Sequence, residues 1–254
     1  MRNRRVVFSA VFALLVASAA TAQQAAAPFT VVEVHRQKAA PGKAAQYEAG
    51  RKKHMDWHRQ AGDPWTWTIW AVMTGPDTGS YLVTSAGHQF ADFDTWLAKY
   101  GEGDRADVAI NTAPHVAASE TSYWRTREEI SLMPASNDLP PMGILTTFYI
   151  KPGQSQPFRE AVAKINGALK KSSWPVSGIW YELVNGGEPA FAVFSPRKGM
   201  ADLQPIEPSM AARVAQQLGE ADATATWKAL YDTFSHSRTE ILELRADLGY
   251  RPAK

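Results

Sequence analysis

The segment Val34–Gly42, VHRQKAAPG, is an extended stretch that ends in a Pro-Gly turn, and Leu145–Gly153, LTTFYIKPG, repeats this arrangement 111 positions later. A helical pattern follows each turn, with Tyr47 in the first copy and Phe158 at the matching place in the second. Self-similarity at a fixed offset indicates that one structural unit occurs twice. The sequence therefore predicts a chain made of two equivalent halves.

Further matches follow in the same order along both halves. They are Ile69-Trp70 with Ile179-Trp180, which requires a slip of one residue, the turns Thr74-Gly75 and Asn185-Gly186, the segments 80–84 and 190–194, and Arg125-Thr126 with Arg238-Thr239. Each half shows a strand, a helix, a hairpin of two strands, a helical region and a last strand, which is the βαββαβ order of a ferredoxin-like unit. A Pro-rich linker at 133–143 separates them. We predict a first repeat at 23–137 and a second at 138–254.

The first 22 residues have the pattern of an export signal. A basic start at 1–5 precedes an apolar run at 6–17, and the small residues Ala20-Thr21-Ala22 form a cleavage site. The sequence predicts a cleavable signal peptide at 1–22 and a mature protein that is periplasmic or secreted. Because the apolar run is shorter than the roughly 20 residues that a transmembrane helix needs, we expect no membrane span.

Composition narrows the classes of partner and of chemistry. The chain contains no cysteine, which excludes disulfides and thiolate chemistry. Removal of Arg2, Arg4 and Arg5 with the signal lowers the formal charge from +2 to about −1, so we expect no nucleic-acid partner. No Gly-x-Ser-x-Gly elbow, phosphate-binding Gly-Lys loop or dinucleotide motif occurs. A small-molecule ligand is therefore expected, and the oligomeric state stays unknown.

The duplicated βαββαβ pattern, the turns Pro41-Gly42 and Pro152-Gly153, and the aromatic second strands resemble the dimeric α/β-barrel superfamily, in particular its fused two-repeat members and the NIPSNAP-like group. This resemblance implies an α+β fold in which tandem duplicated ferredoxin-like repeats form a pseudo-dimeric α/β barrel with helices outside. It also implies a ligand between a helix and the sheet of one half. The superfamily includes monooxygenases, polyketide-cyclase-like enzymes and haem enzymes, so the fold leaves the function open.

One helix face of the first half departs from the pattern of its sister. The second-half helix at 154–171 carries the apolar stripe Phe158, Val162, Ile165 and Leu169, and the 111-residue offset places Tyr47, Arg51, His54 and His58 on the same face. Burial of two imidazoles and a guanidinium is unfavourable unless hydrogen bonds or a ligand compensate for it. Such a local exception is typical of a functional site.

The residue types on this face suggest roles. His54 or His58 would act as general acid or base and Arg51 would stabilise negative charge, while Tyr47, Trp65 and Trp67 would bind and enclose the ligand. Structural readings stay open, because inward histidines can simply be hydrogen-bonded and the tryptophans can belong to the core, which we favour for them.

The sequence supports a metal centre less strongly than a site for a small-molecule ligand. The His-x-x-x-His spacing could supply two ligands from one helix face. Met55 stands where zinc proteases have Glu, and no third ligand is evident near the pair. We therefore assign no metal ligand, and the cofactor stays unknown.

Three functions remain open from the sequence. The first is an exported small-molecule pocket protein of unknown specific function, which could be a cofactor-independent enzyme, monooxygenase-like or cyclase-like, with a histidine acid or base. The second is a haem-binding or metal-binding protein. The third is a non-enzymatic envelope or interaction protein. Whether the chain is an enzyme is not decided by the sequence.

Overall fold

The computed structural model describes residues 29–136 and 138–252. The predicted signal peptide, 1–22, lies outside these residues. Within the described ranges, no helix combines the length and the apolar character that crossing a bilayer requires.

The order of elements is βαββαβ in both halves. The first half contains β1 (Val31–Ala39), α1 (Ala44–Ala61), β2 (Thr68–Val72), β3 (Ser80–His88), α2 (Phe90–Asn111) and β4 (Val116–Thr126). The second contains β5 (Met142–Ile150), α3 (Ser155–Lys171), β6 (Ile179–Asn185), β7 (Ala190–Arg197), α4 (Met210–Leu218), α5 (Glu220–Asp232) and β8 (Phe234–Leu244). Short 3-10 turns lie at Ala113–His115, Glu128–Ile130, Met200–Leu203 and Ala246–Leu248. The predicted boundary at 137/138 falls between Ile130 and β5.

The repeated Pro-Gly dipeptides are the turns that connect each first strand to its helix. Gly42 and Gly153 have φ values of 72° and 75°, a left-handed conformation that glycine adopts without a steric penalty. This shared backbone requirement explains why the same dipeptide opens both halves.

The eight strands form one closed antiparallel barrel in the order β1-β3-β2-β8-β5-β7-β6-β4. Within each half the ferredoxin-like order is kept, and the pairs β2–β8 and β4–β6 join the two halves. Closure pairs both edges of each of these eight described strands. The fold is thus the pseudo-dimeric α/β barrel of two ferredoxin-like repeats that the sequence predicted.

The described residues form three clusters of buried apolar side chains. One lies between the first-half strands and α1 and α2, a second lies between the second-half strands and α3 to α5, and the third fills the barrel interior around Trp70, Leu82 and Leu242. Because successive strand residues point to opposite faces, each strand contributes to the barrel interior and to one helix layer.

The slip of one residue predicted between the second strands is wrong. Ile69 pairs with Val83 and packs in the cluster between the first-half strands and α1 and α2. Trp180 pairs with Val193 and packs in the cluster between the second-half strands and α3 to α5. Trp70 instead points into the barrel interior. The offset of 111 therefore persists through β2, and the one-residue change lies in the following hairpin turn.

Helices α1 and α2 approach each other closely because glycines lie at their contact. A Cβ atom added to Gly50 would lie 1.8 Å from the carbonyl oxygen of Asn111, and one added to Gly103 would lie 2.8 Å from the Trp57 ring. Neither site tolerates a side chain without movement. This close packing brings the inner side of α2 against the histidine face of α1.

Candidate metal centre

The polar stripe of α1 faces inward, which confirms the orientation predicted from the repeat. Tyr47, Arg51, His54 and His58 are 0%, 4%, 2% and 1% exposed, and their counterparts Phe158, Val162, Ile165 and Leu169 are 0%, 2%, 4% and 1% exposed. The same positions are therefore buried in both halves, with opposite chemistry.

His58 is held by Asp63, which follows the end of α1. Gly62, with φ of 65°, reverses the chain, and the Asp63 backbone N–H donates to the His58 carbonyl at 3.0 Å. The Asp63 carboxylate then lies 2.6 Å from His58 Nδ1. Burial lowers the pKa of His58, against the opposing effect of this hydrogen bond. The helix cap thus positions the carboxylate that orients the imidazole.

Asp63 is the most heavily used acceptor of the site. It also accepts hydrogen bonds from the Trp65 backbone N–H and from the indole N–H groups of Trp67 and Trp96, each at 2.9 Å. Burial alone would raise the pKa of Asp63, but these donors and His58 outweigh it and keep the pKa below its ordinary value. The group is an ionised carboxylate that fixes both His58 and the surrounding tryptophans.

His54 has an equivalent support from α2. Its Nδ1 lies 2.8 Å from Asp107 Oδ1, and Asp107 Oδ2 accepts a hydrogen bond from the Asn111 amide at 3.0 Å. Because an ionised carboxylate only accepts hydrogen bonds, the Nδ1 atoms of both His54 and His58 carry the hydrogen. In the neutral form of each ring, the Nε2 atom then carries a lone pair.

The two Nε2 atoms face a third acceptor atom, an oxygen of Asp104. The Nε2 atoms of His54 and His58 lie 3.1 Å apart, and Asp104 Oδ1 lies 3.4 Å from the first and 3.6 Å from the second. Three acceptor atoms at such separations repel one another unless a proton or a cation lies between them. No third ligand was evident from the sequence, and Asp104 of α2 supplies one.

The three atoms have the spacing of ligands around one metal ion. Donors at about 2.0–2.1 Å from a tetrahedral ion lie roughly 3.3 Å apart. For the triangle formed here, a point about 2.0–2.1 Å from all three atoms lies just outside their plane. Asp104 is 23% exposed whereas both histidines are buried, so the carboxylate is on the solvent side. The arrangement could hold a metal ion with further coordination positions free.

Arg51 is the permanently charged group of the stripe. Among the described residues its side chain makes no hydrogen bond and no ion pair, and its Nε is buried without a partner. Burial lowers its pKa, against the effects of Tyr47 and Asp104. The phenol of Tyr47 donates to Gln37 at 2.8 Å, and burial raises its pKa. Because Arg51 has no hydrogen-bond or ion-pair partner among the described residues, its guanidinium is available to a ligand.

The structure places Trp65 and Trp67 in the helix-layer core beside the histidines. Trp65 stacks on His88, with ring centroids 3.8 Å apart, and the Trp67 ring centroid lies 5.3 Å from that of His58. Two cavities of about 240 and 280 Å³ lie elsewhere, one between α1 and the end of α2 and the other beside β4, and neither is lined by His54 or His58. Trp67 thus packs beside His58 and Trp65 beside His88, and neither tryptophan lines either cavity.

Sequence reasoning missed Asp63, Asp104 and Asp107. Asp104, Asp107 and Asn111 share one face of α2, so a search for a polar stripe on that helix could have found them. Asp63 carried a local signal, because it directly follows the Gly that ends α1. Asp104 and Asp107 reach the histidines only because α1 packs against α2. The residue pattern of one helix does not predict how it packs against another.

Haem does not fit this constellation. Each Nε2 atom that could bind haem iron has another nitrogen and a carboxylate oxygen 3.1–3.6 Å away. A flat macrocycle about 10 Å across cannot approach either atom through these neighbours. The predicted haem alternative therefore receives no support at His54 or His58.

Comparisons with known proteins identify the fold. No protein-family model and no curated protein matches the chain. Similar solved structures include an anthrone oxidase-like protein, with a TM-score of 0.56 and 10% identity over 85% of this chain and 91% of that one. A variant of chlorite dismutase from Candidatus Nitrospira defluvii has a TM-score of 0.55 and 8% identity over 86% and 92%. A candidate monooxygenase from Lactobacillus acidophilus NCFM has a TM-score of 0.53 and 8% identity over 89% and 98%.

At these identities the likeness concerns the fold alone. It confirms the duplicated ferredoxin-like halves and the dimeric α/β-barrel architecture. The NIPSNAP-like affiliation stays a prediction, and so does any activity.

Proposed function

We propose that this protein binds one divalent transition-metal ion through His54, His58 and Asp104 and uses it on a small-molecule ligand. The observation that carries the proposal is the convergence of two histidine Nε2 atoms, 3.1 Å apart, with Asp104 Oδ1 at 3.4 and 3.6 Å. In keeping with the N-terminal sequence, we also propose that the protein works outside the cytoplasm.

The surroundings of the two imidazoles support a metal over a purely structural network. A metal-ligating histidine usually donates its other N–H to a carboxylate or carbonyl, which fixes the tautomer. Asp63 serves His58 in this way and Asp107 serves His54. A structural pair needs no third acceptor, whereas here both Nε2 atoms face Asp104 Oδ1 as well as each other.

Charge balance points the same way. Three carboxylates, those of Asp63, Asp104 and Asp107, lie against the two imidazoles, and Arg51 is the one buried cation next to them among the described residues. With both imidazoles counted as neutral, as a metal requires of its histidine ligands, the cluster carries a formal charge of about −2. Because unbalanced charge is costly in a desolvated place, a divalent cation is the natural complement.

The ligand set indicates the class of ion. Two imidazoles and one carboxylate are typical of catalytic Zn²⁺ sites with a bound water and of non-haem Fe²⁺ sites with open positions. Either ion would leave room for a ligand, and Zn²⁺ would also acidify a bound water. We expect Zn²⁺, Co²⁺ and Fe²⁺ to bind more tightly than Mg²⁺ or Ca²⁺, which prefer oxygen ligands alone.

A second candidate is the cofactor-independent enzyme, monooxygenase-like or cyclase-like, that the sequence resemblance suggested. The short contact between His58 Nδ1 and Asp63, 2.6 Å, supports it, since such a pair can act as a general base. Its Nε2 faces His54 and Asp104, however, and neither described cavity adjoins it. We therefore rank the metal centre first.

The test is metal content. The mature chain, purified from the periplasm of an expressing bacterium, is loaded separately with Zn²⁺, Co²⁺ and Fe²⁺ (anaerobically), dialysed, and analysed by plasma mass spectrometry beside a His54→Ala/His58→Ala double variant and Asp104→Asn. His236→Ala, at an exposed histidine of the second half, is the matched control.

We expect about one ion per chain in the wild type and in the control, and at most about a tenth of that content in both site variants. Circular dichroism verifies that each variant is folded. A wild-type protein that retains none of the three ions, or folded site variants that retain as much as the wild type, would overturn the proposal.

A further inference from the structure

We propose that Arg51 is an anion-binding group beside this metal centre and that the ligand is a small monocarboxylate. The inference rests on the proposed metal function, because the ligand's other contact would be the ion held by His54, His58 and Asp104.

Arg51 has the right position. It lies three residues before His54 on the inward face of α1, and residues at this spacing are neighbours on a helix surface. The charge of Asp104 acts on it, although the two groups are not within ion-pair distance. The guanidinium and the candidate ion thus belong to one region under α1.

Its lack of partners is the main evidence. Arg51 is 4% exposed, yet its side chain makes no hydrogen bond and no ion pair with any residue of the described part of the chain. Of the five N–H donors of the guanidinium, the one on Nε is buried without a partner, and an unsatisfied buried donor is unfavourable. The equivalent position of the second half holds Val162, so the fold itself does not require a cation here.

Two polar side chains of β1, Gln37 and His35, lie on the sheet face beneath α1. Gln37 of β1 accepts the Tyr47 hydrogen bond, which shows that alternate β1 residues face the helix layer. His35 is on the same face, 25% exposed and hydrogen-bonded to Thr121 at 2.9 Å. The position equivalent to Gln37 in the second half is Phe148, which packs in an apolar core. A ligand with polar groups therefore suits the first half only.

Charge selects the class of ligand. With a divalent ion bound, the metal, Arg51 and the three carboxylates give a formal charge of about zero. A monoanion adds a single negative charge, and its two oxygens match the planar fork of the guanidinium. A dianion such as phosphate would add a second charge beside Asp104, so we commit to a monocarboxylate.

The experiment measures anion affinity at the loaded centre. Acetate and, separately, the neutral ligand imidazole are titrated into Co²⁺-loaded protein, and the change in the visible spectrum gives each Kd. The variants are Arg51→Met and Arg51→Lys. Lys53→Met, which removes an exposed positive charge from the same helix, is the matched control.

We expect Arg51→Met to weaken acetate at least tenfold and Lys53→Met less than threefold, while imidazole binding changes less than threefold in both. If Arg51→Met does not fold, Arg51→Lys decides, with an expected loss of at least threefold because the two-pronged contact is removed. Equal acetate affinity in the wild type and the folded Arg51 variant would overturn the subsite.

Failure of the metal proposal gives a different result. If wild-type protein does not bind Co²⁺, the metal function is lost, and Arg51 is judged in the metal-free protein. There, acetate must shift the Arg51 Nε–H NMR signal, and the same shift must appear in Lys53→Met, which keeps Arg51. No shift would overturn the subsite as well.

Discussion

Replacement of Asp63 by Asn tests the hydrogen-bond arrangement on which the centre depends. Asp63 Oδ1 accepts from the Trp65 backbone and the Trp96 indole, and Oδ2 accepts from His58 and the Trp67 indole. Asparagine keeps one oxygen, so its NH₂ group must face two of these donors. The least harmful orientation points NH₂ at His58, which can accept if its hydrogen moves from Nδ1 to Nε2.

The magnitude follows from the bonds lost. One buried indole N–H is left without an acceptor, at about 1–3 kcal/mol, and the two remaining bonds lose their charge assistance, at about 1 kcal/mol each. We therefore expect unfolding free energy to fall by about 3–5 kcal/mol, or Tm by roughly 10 °C for a chain of this size. The moved hydrogen also occupies the Nε2 lone pair, so metal affinity should fall about 10–100-fold.

Urea unfolding followed by tryptophan fluorescence measures the first effect, and Zn²⁺ titration measures the second. Asp56→Asn, at an exposed acid of α1 that pairs with Arg59, is the control and should change stability by less than about 0.5 kcal/mol. An Asp63→Asn protein within about 1 kcal/mol of the wild type, with unchanged zinc affinity, would refute the proposed tautomers and donors.

Three further outcomes are expected. Gly50→Ala puts a Cβ 1.8 Å from the Asn111 carbonyl oxygen, so urea unfolding should show that the free energy of unfolding falls by at least about 2 kcal/mol. Gly167→Ala, at a position of α3 with free space around it, is the control and should leave the free energy of unfolding unchanged or slightly raised. A hydrogen bond from Arg245 holds the pKa of Asp247 at about 2. The stabilisation that results is present above about pH 4 and is lost as the pH falls toward 2. The Tm of Arg245→Met should therefore depend less on pH in this window than the Tm of the wild type. Zn²⁺ at 100 times its Kd should stabilise the protein by about 2.7 kcal/mol, and EDTA should reverse the rise in Tm.

Most of the fold could be predicted from the sequence because the two halves are duplicated, so a pattern that is clear in one half identified the same element in the other. The apolar stripe ending at Leu169 identified the buried face of α3. The 111-residue offset then identified the face of α1 that carries His58 as the buried one, although α1 itself has little apolar periodicity. The one wrong register, at Trp70, arose because Trp180 looked like its partner by residue type, whereas sheet pairing aligns Trp180 with Ile69.

Half of the candidate site was visible in the same way. Arg51, His54 and His58 were conspicuous because the sister half has aliphatic residues there. Asp104 could not be connected to them, since it is 46 positions beyond His58 and reaches the pair only because Gly50 and Gly103 let α1 and α2 pack closely. Such tertiary placement is the part that local pattern does not encode.

The most direct test of the metal assignment is anomalous diffraction from a crystal of the Zn²⁺-loaded protein, with data on both sides of the zinc absorption edge. We expect one strong peak about 2.0–2.2 Å from His54 Nε2, His58 Nε2 and an Asp104 carboxylate oxygen. A map of fully loaded protein with no peak at these three atoms, or with the zinc bound only elsewhere, would contradict it.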